Sequence, residues 1–172
     1  MIGNGSILAM LGGYSPVALL GTGRSMPSIQ MIGLDNHVKE HKLLIPETNK
    51  RLSHSSSRLA SAVTLSTGEV ILTGGLGMER EVFLLSGLNL EKIVQKNKMS
   101  AGRLGHASVA TRLGGEESVL VAGGWDSEGI ASTSVEVFSV KQNQWKHLES
   151  LPSPRVDFTL QVLILRGSSS IT

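Results

Sequence analysis

The sequence predicts an all-β fold of short strands that end in glycine turns and recur along the chain. Three observations predict it. Twenty of the 172 residues are glycine while only 3% are aromatic, and glycine, the residue that loses most entropy on folding, is kept where turns or close backbone approaches need it. Apolar, β-prone runs stop at glycine pairs: "ILAMLGG" ends at Gly13, "VILTGG" at Gly75 and "VLVAGG" at Gly124. Finally, "RLSH" from Arg51 returns as "RLGH" from Arg103, and "RVDF" starts at Arg155, so the arginines stand 52 residues apart twice over. A fixed period of this size marks a repeat architecture.

The parts of each repeat follow in one order. After the glycine pair comes a loop of variable length, then a second strand: "IQMIGL" from Ile29, "EVFLL" from Glu81 and "VEVFSV" from Val135. Glu81-Val82-Phe83 aligns with Glu136-Val137-Phe138. Strand alternation sends Val135, Val137 and Ser139 to one side and Glu136, Phe138 and Val140 to the other. Seven residues beyond Phe138 stands Trp145, and seven beyond Phe83 stands Leu90. A large ring at that place fills the wedge between neighbouring sheets, so Trp145 is expected to be a packing residue. "MSAGR" and "LPSPR" then carry each unit to the next arginine. The first unit has no tryptophan, and "DNHVKEHKLLIPETNK" separates its strand from Arg51.

Strand, Gly-Gly, loop, strand with an aromatic, then tryptophan, at a period near 50, resembles kelch repeats. The resemblance implies a β-propeller in which each repeat is a four-stranded blade. It puts the family's double glycine on Gly12-Gly13, Gly74-Gly75 and Gly123-Gly124, its aromatic position on Ile32, Phe83 and Phe138, and its tryptophan position on Leu90 and Trp145. The last copy is the best preserved. The implied units are 6–50, 51–102 and 103–154, with a further blade starting at 155–165 and a disordered tail at 166–172. Three to three and a half blades fall short of the four to eight of closed rings. The expectation is therefore an open arc, a partial propeller from a larger kelch protein, with self-association through open blade faces as the alternative. Arg51, Arg103 and Arg155 are expected to bond backbone or carboxylates between blades.

Composition removes several function classes. A 40% hydrophobic and 17% charged chain is globular. A net charge of +2 is too small a field for nucleic acid, and the basic stretch Lys39, Lys42, Lys50, Arg51 and Arg58 lacks interleaved aromatics for base stacking. The absence of cysteine excludes disulfides, thiolate metal sites and a cysteine nucleophile. No run reaches the length of a membrane span and "MIGNGSILAM" is no secretory signal, which favours the cytoplasm and no membrane partner.

Three stretches have the spelling of chemistry. "HVKEH", His37 to His41, matches a zinc-peptidase pattern that needs a helix, but it lies in an insertion between strands and reads as a solvated loop. "GTGRS", Gly21 to Ser25, lacks the lysine and following helix of a phosphate cradle. His54 beside "SHSSSR" has no acid to orient it, and its repeat position is shared by His106, which argues for structure. No catalytic group, cofactor or metal is expected.

The resemblance implies a protein–protein interaction module, an adaptor or scaffold that meets a protein partner through its inter-strand loops. Those loops are Tyr14 to Ser28, Leu76 to Arg80 and Trp125 to Thr133, with Trp125, Asp126 and Glu128 as candidate partner-binding residues. The alternative is part of a carbohydrate-active kelch enzyme of epimerase type. Oxidase chemistry requiring a Tyr-Cys crosslink is excluded by the missing cysteine.

Overall fold

A computed structural model describes residues 59–87 and 92–163 in full, and the backbone of five strands nearer the N-terminus. Those five are β1 (Ile7–Leu11), β2 (Tyr14–Ser15), β3 (Arg24–Ser25), β4 (Ile29–Gly33) and β5 (Val38–His41). Eight more follow: β6 (Ser61–Thr64), β7 (Val70–Thr73), β8 (Val82–Ser86), β9 (Lys92–Gln95), β10 (Ala107–Leu113), β11 (Glu116–Ala122), β12 (Val135–Ser139) and β13 (Gln144–His147). All the pairing is antiparallel, in two four-stranded sheets, β6-β7-β8-β9 and β10-β11-β12-β13, a three-stranded sheet, β1-β4-β5, and the β2-β3 hairpin. Among the described residues these sheets do not close into a ring, and no helix is long and apolar enough to cross a membrane.

Strand β11 shows why these segments form blades. Its run Val119-Leu120-Val121-Ala122 is apolar on both faces: Val119 and Val121 are buried toward the neighbouring sheet, while on the other face Ala122 is buried and Leu120 half-buried. The core between the two four-stranded sheets takes Ile71, Val82, Leu84 and Val63 from the first and Val119, Val121, Phe138 and Trp145 from the second. Leu65 and Met99 close it. Residues on facing sides interleave, which is what lets neighbouring blades bury apolar area that neither could cover alone.

Strand pairing corrects the sequence alignment of the repeats. Phe138 lies opposite Val119 and Trp145; the residue in that position of the first four-stranded sheet, opposite Val70 and Ile93, is Leu85. Phe83, opposite Leu72, corresponds instead to Glu136, opposite Val121. The tryptophan position is therefore Ile93, and Leu90 lies outside the described residues. The matching Glu-Val-Phe letters are two residues out of register because the loop after the glycine pair is longer in the second sheet. In the three-stranded sheet, the pairs Leu11↔Ile29 and Ile32↔Val38 place Ile32 at the Phe138 position and Val38 at the Trp145 position.

Two other expectations are corrected. "HVKEH" is neither helix nor open loop over Val38–His41, which pair with β4 as β5; His37 lies outside the described residues. Arg24–Ser25 of "GTGRS" pairs with Tyr14–Ser15, so the long first loop contains a hairpin. Among the described residues the first sheet has three strands. Gly12, Gly13, Arg51, His54 and residues 166–172 lie outside the described residues.

Candidate partner-binding face

The glycine pairs gather several loops at one end of the sheets. Gly75 N–H donates to the Arg103 carbonyl at 3.2 Å, and Gly124 N–H donates to the Arg155 carbonyl at 2.8 Å. Each pair thus receives the connector that leads into the next blade. Gly74 and Gly123 have φ of 58° and 62°, a region costly for residues with a Cβ. The close approach is also steric: a Cβ on Gly74 would stand 2.6 Å from the Arg103 oxygen and 2.7 Å from the His106 ring.

A second bond repeats beside it. Gly105 N–H donates to the Leu59 carbonyl at 2.9 Å, and Asp157 N–H donates to the Gly105 carbonyl at 2.8 Å. Leu59, Gly105 and Asp157 share positive φ values of 60°, 61° and 50°. Connectors before β6, before β10 and after β13 are therefore three copies of one structure, stacked blade on blade.

Below this end lies a buried polar node. Arg103 Nη1 donates to the carbonyls of Gly123 (2.8 Å) and Ser134 (2.9 Å), and Nη2 donates to Ser134 Oγ (2.8 Å) and Glu136 Oε1 (2.7 Å). Glu136 Oε2 accepts from the Ser100 backbone N–H at 3.0 Å and from its hydroxyl. Burial pushes the Glu136 carboxyl up, but the Ser100 and Arg103 hydrogen bonds and the guanidinium charge outweigh it and hold the carboxyl below its ordinary value. His106 is buried and lowered to about 3, first by desolvation and then by the Arg103 charge. Thr73 Oγ1 donates to the Ser61 carbonyl, so His106 Nε2–H donates to Thr73 Oγ1 at 2.8 Å. The ring is neutral and structural, and the node offers no nucleophile–base pair. Among the described residues no group of three or more His, Asp or Glu could hold a metal ion.

Above the node, Trp125 is fixed through its backbone: its N–H donates to the Leu104 carbonyl at 2.7 Å and its carbonyl accepts from Leu104 N–H at 2.9 Å. Its side chain remains 36% exposed. The loop beyond it is braced by Asp126, whose Oδ1 accepts from the N–H groups of Glu128 (2.9 Å) and Ile130 (2.8 Å). An Asx turn of this kind holds a loop without help from neighbouring strands. Asp126 is occupied by its own loop, while Glu128 is exposed. Ile130, 58% exposed at the tip, was not singled out from the sequence, although an isoleucine inside "DSEGIASTS" is a legible signal. Leu76 follows Gly75 as Trp125 follows Gly124 and is also exposed, as is Leu59. Each of the two four-stranded blades thus presents an exposed apolar residue just after its glycine pair.

The family model for the Kelch motif matches residues 115–152, which span β11, β12 and β13 and the loop between the first two. The chain carries a kelch motif. The kelch segment contains Gly123-Gly124, Trp125, Phe138 and Trp145, and its four-stranded sheet, like the one before it, is a kelch-type blade. Kelch motifs are typical of interaction modules rather than catalytic centres. No curated protein is similar enough to match the chain.

Of the arginines, Arg103 is buried and ion-paired with Glu136 across the connector, whereas Arg155 is exposed and contributes its backbone carbonyl. Trp145 packs on Phe138 with ring centroids 5.0 Å apart, and its Nε1–H donates to the Asn97 carbonyl of the preceding blade at 2.8 Å.

Proposed function

We propose that the chain is a protein–protein interaction module of adaptor or scaffold type, whose partner docks on the loop end of the kelch blades. The supporting observation is Trp125: a large ring about one-third exposed, on a backbone locked to Leu104, in the same loop as exposed Ile130. A rigid aromatic anchor loses little entropy on binding, which is the usual property of a hot spot. Glu128 supplies a polar rim, and Asp126 keeps the loop in its bound shape.

The test compares proteins retained by the wild-type chain with those retained by Trp125→Ala and Ile130→Ser, each checked for intact folding. A partner lost from both variants, and binding at least tenfold weaker when purified, is expected. Identical retention would remove the loop from the proposal, and clear micromolar sugar binding by calorimetry would favour the carbohydrate-active alternative.

A further inference from the structure

The connector that leaves β9 is buried at Met99 and Arg103 but exposed at Ser100 between them. The Ser100 hydroxyl nonetheless ends on a buried charge: it donates to Glu136 Oε2, which also accepts from the Ser100 backbone N–H at 3.0 Å. Glu136 cannot turn away, because it is 0% exposed and its other oxygen is held by Arg103 at 2.7 Å. With the hydroxyl proton on the carboxylate, the 3.0 Å contact between Ser100 Oγ and His147 Nε2 is a bond donated by the imidazole. Glu136 and His147 lie directly opposite on β12 and β13, so a serine of one blade is seated on a cross-strand pair of the next.

None of this repeats. The residue 52 positions further, in the connector after β13, is Pro152, and the residue at the Glu136 position of the first four-stranded sheet is Phe83. The repeat architecture therefore does not account for the serine. Its surroundings in the chain are basic: Lys96-Asn97-Lys98-Met99-Ser100 belongs to no strand and brings two lysines just ahead of the hydroxyl. An exposed hydroxyl on irregular backbone behind two lysines suits a kinase whose substrate cleft is acidic.

We propose that Ser100 is a phosphorylation site for a serine kinase of that kind, and that its phosphate opens the seam between the two four-stranded blades. Ser100 Oγ attacks the γ-phosphorus of ATP, the bond from that phosphorus to the ADP oxygen breaks, and the hydroxyl proton passes to the kinase's base. The ester oxygen that results has no proton to donate, and a phosphate dianion stands where Glu136 Oε2 had a partner. Phosphate beside a carboxylate disrupts by like-charge repulsion. The carboxylate is fixed, so the connector is the part that moves. The kinase reaches the hydroxyl when the connector lifts from Glu136, and the phosphate then prevents its return. Two contacts carry the change outward: the Asn97 carbonyl accepts from Trp145 Nε1, and Leu104 bonds Trp125 in both directions. The site does not depend on the partner proposed for the loop end.

The full chain incubated with a basophilic serine kinase and ATP should acquire phosphate at Ser100, located by mass spectrometry of the digested protein. The phosphorylated chain should melt about 5 °C or more below the unmodified one. In a Trp125→Phe background the Trp145 emission should shift to the red. Ser100→Ala treated in the same way should keep its own melting temperature, which separates Ser100 from any other labelled serine. Ser100→Thr, which keeps a hydroxyl, should be labelled and lose stability as the wild type does. A chain not labelled at Ser100, or one carrying phosphate there with unchanged melting and Trp145 emission, would overturn the inference.

Discussion

Arg103 of the connector and Glu136 of β12 form an ion pair of 2.7 Å in which both side chains are almost wholly removed from solvent, 1% and 0% exposed. The pair joins two blades, since Glu136 also holds Ser100, which follows β9, while Arg103 ties down the carbonyls around Gly123. Removing one member leaves a buried charge without its counterion. Arg103→Met should therefore cost about 3–5 kcal/mol in urea denaturation, whereas Arg103→Met with Glu136→Leu should recover much of that loss. A double variant no better than the single one would show that the carbonyl contacts of Arg103, rather than its charge partner, carry the effect.

Acid should weaken the fold in two stages. Between pH 6.5 and about 3 the unfolded chain binds a proton at His106 that the folded chain refuses. Stability at this site is whole above 6.5 and falls as the pH drops, by up to about 1.4 kcal/mol per unit. Glu136, held below 4.5, adds a second loss only under that value, where the unfolded carboxylate is protonated first. His106→Gln should flatten the slope of stability between pH 6.5 and 4.5 and leave the steeper decline below it. An unchanged slope in that variant would assign the acid sensitivity to other groups.

The repeat was legible because glycine pairs and apolar strands have causes local to the chain: a positive φ at Gly74 and Gly123, and β-rich runs buried on both faces. The register was not. Phe83 and Phe138 align by letter, yet backbone pairing sets Leu85 against Phe138, because loop length between β7 and β8 differs from that between β11 and β12 and sequence spacing counts loops as strands. Similarly, Arg103 and Arg155 share a repeat position but not a role, since only Arg103 has a carboxylate across the connector. Trp125 was visible as a tryptophan in a polar loop, while the demand on Asp126 depends on where the Glu128 and Ile130 amides turn, which no composition reveals.

Gly74 and Gly114 separate conformational from steric cost. Their φ values are nearly equal, 58° and 59°, but a Cβ on Gly74 would meet Arg103 and His106, whereas one on Gly114 meets nothing within 4 Å. Gly114→Ala should lose only the left-handed penalty of about 1–2 kcal/mol. Gly74→Ala should lose clearly more, and the difference between their chemical-denaturation midpoints measures how tightly the connector sits on the blade. Equal losses would mean that the connector lifts away at little cost.

The two tryptophans should respond in opposite ways. Trp145 joins the inter-blade core, stacks on Phe138 and donates to Asn97 of the neighbouring blade, so Trp145→Ala should cost about 3 kcal/mol or more. Trp145→Phe keeps the ring contact and forfeits the hydrogen bond, for a loss near 1 kcal/mol. Trp125 anchors its loop by backbone bonds that an alanine retains, so Trp125→Ala should stay within about 0.5 kcal/mol of the wild type. Thermal melts of the three variants decide the matter: a large loss at position 125 would make its ring a packing element and weaken its assignment to recognition, because a side chain needed for folding is not free to be the anchor that a partner displaces from water.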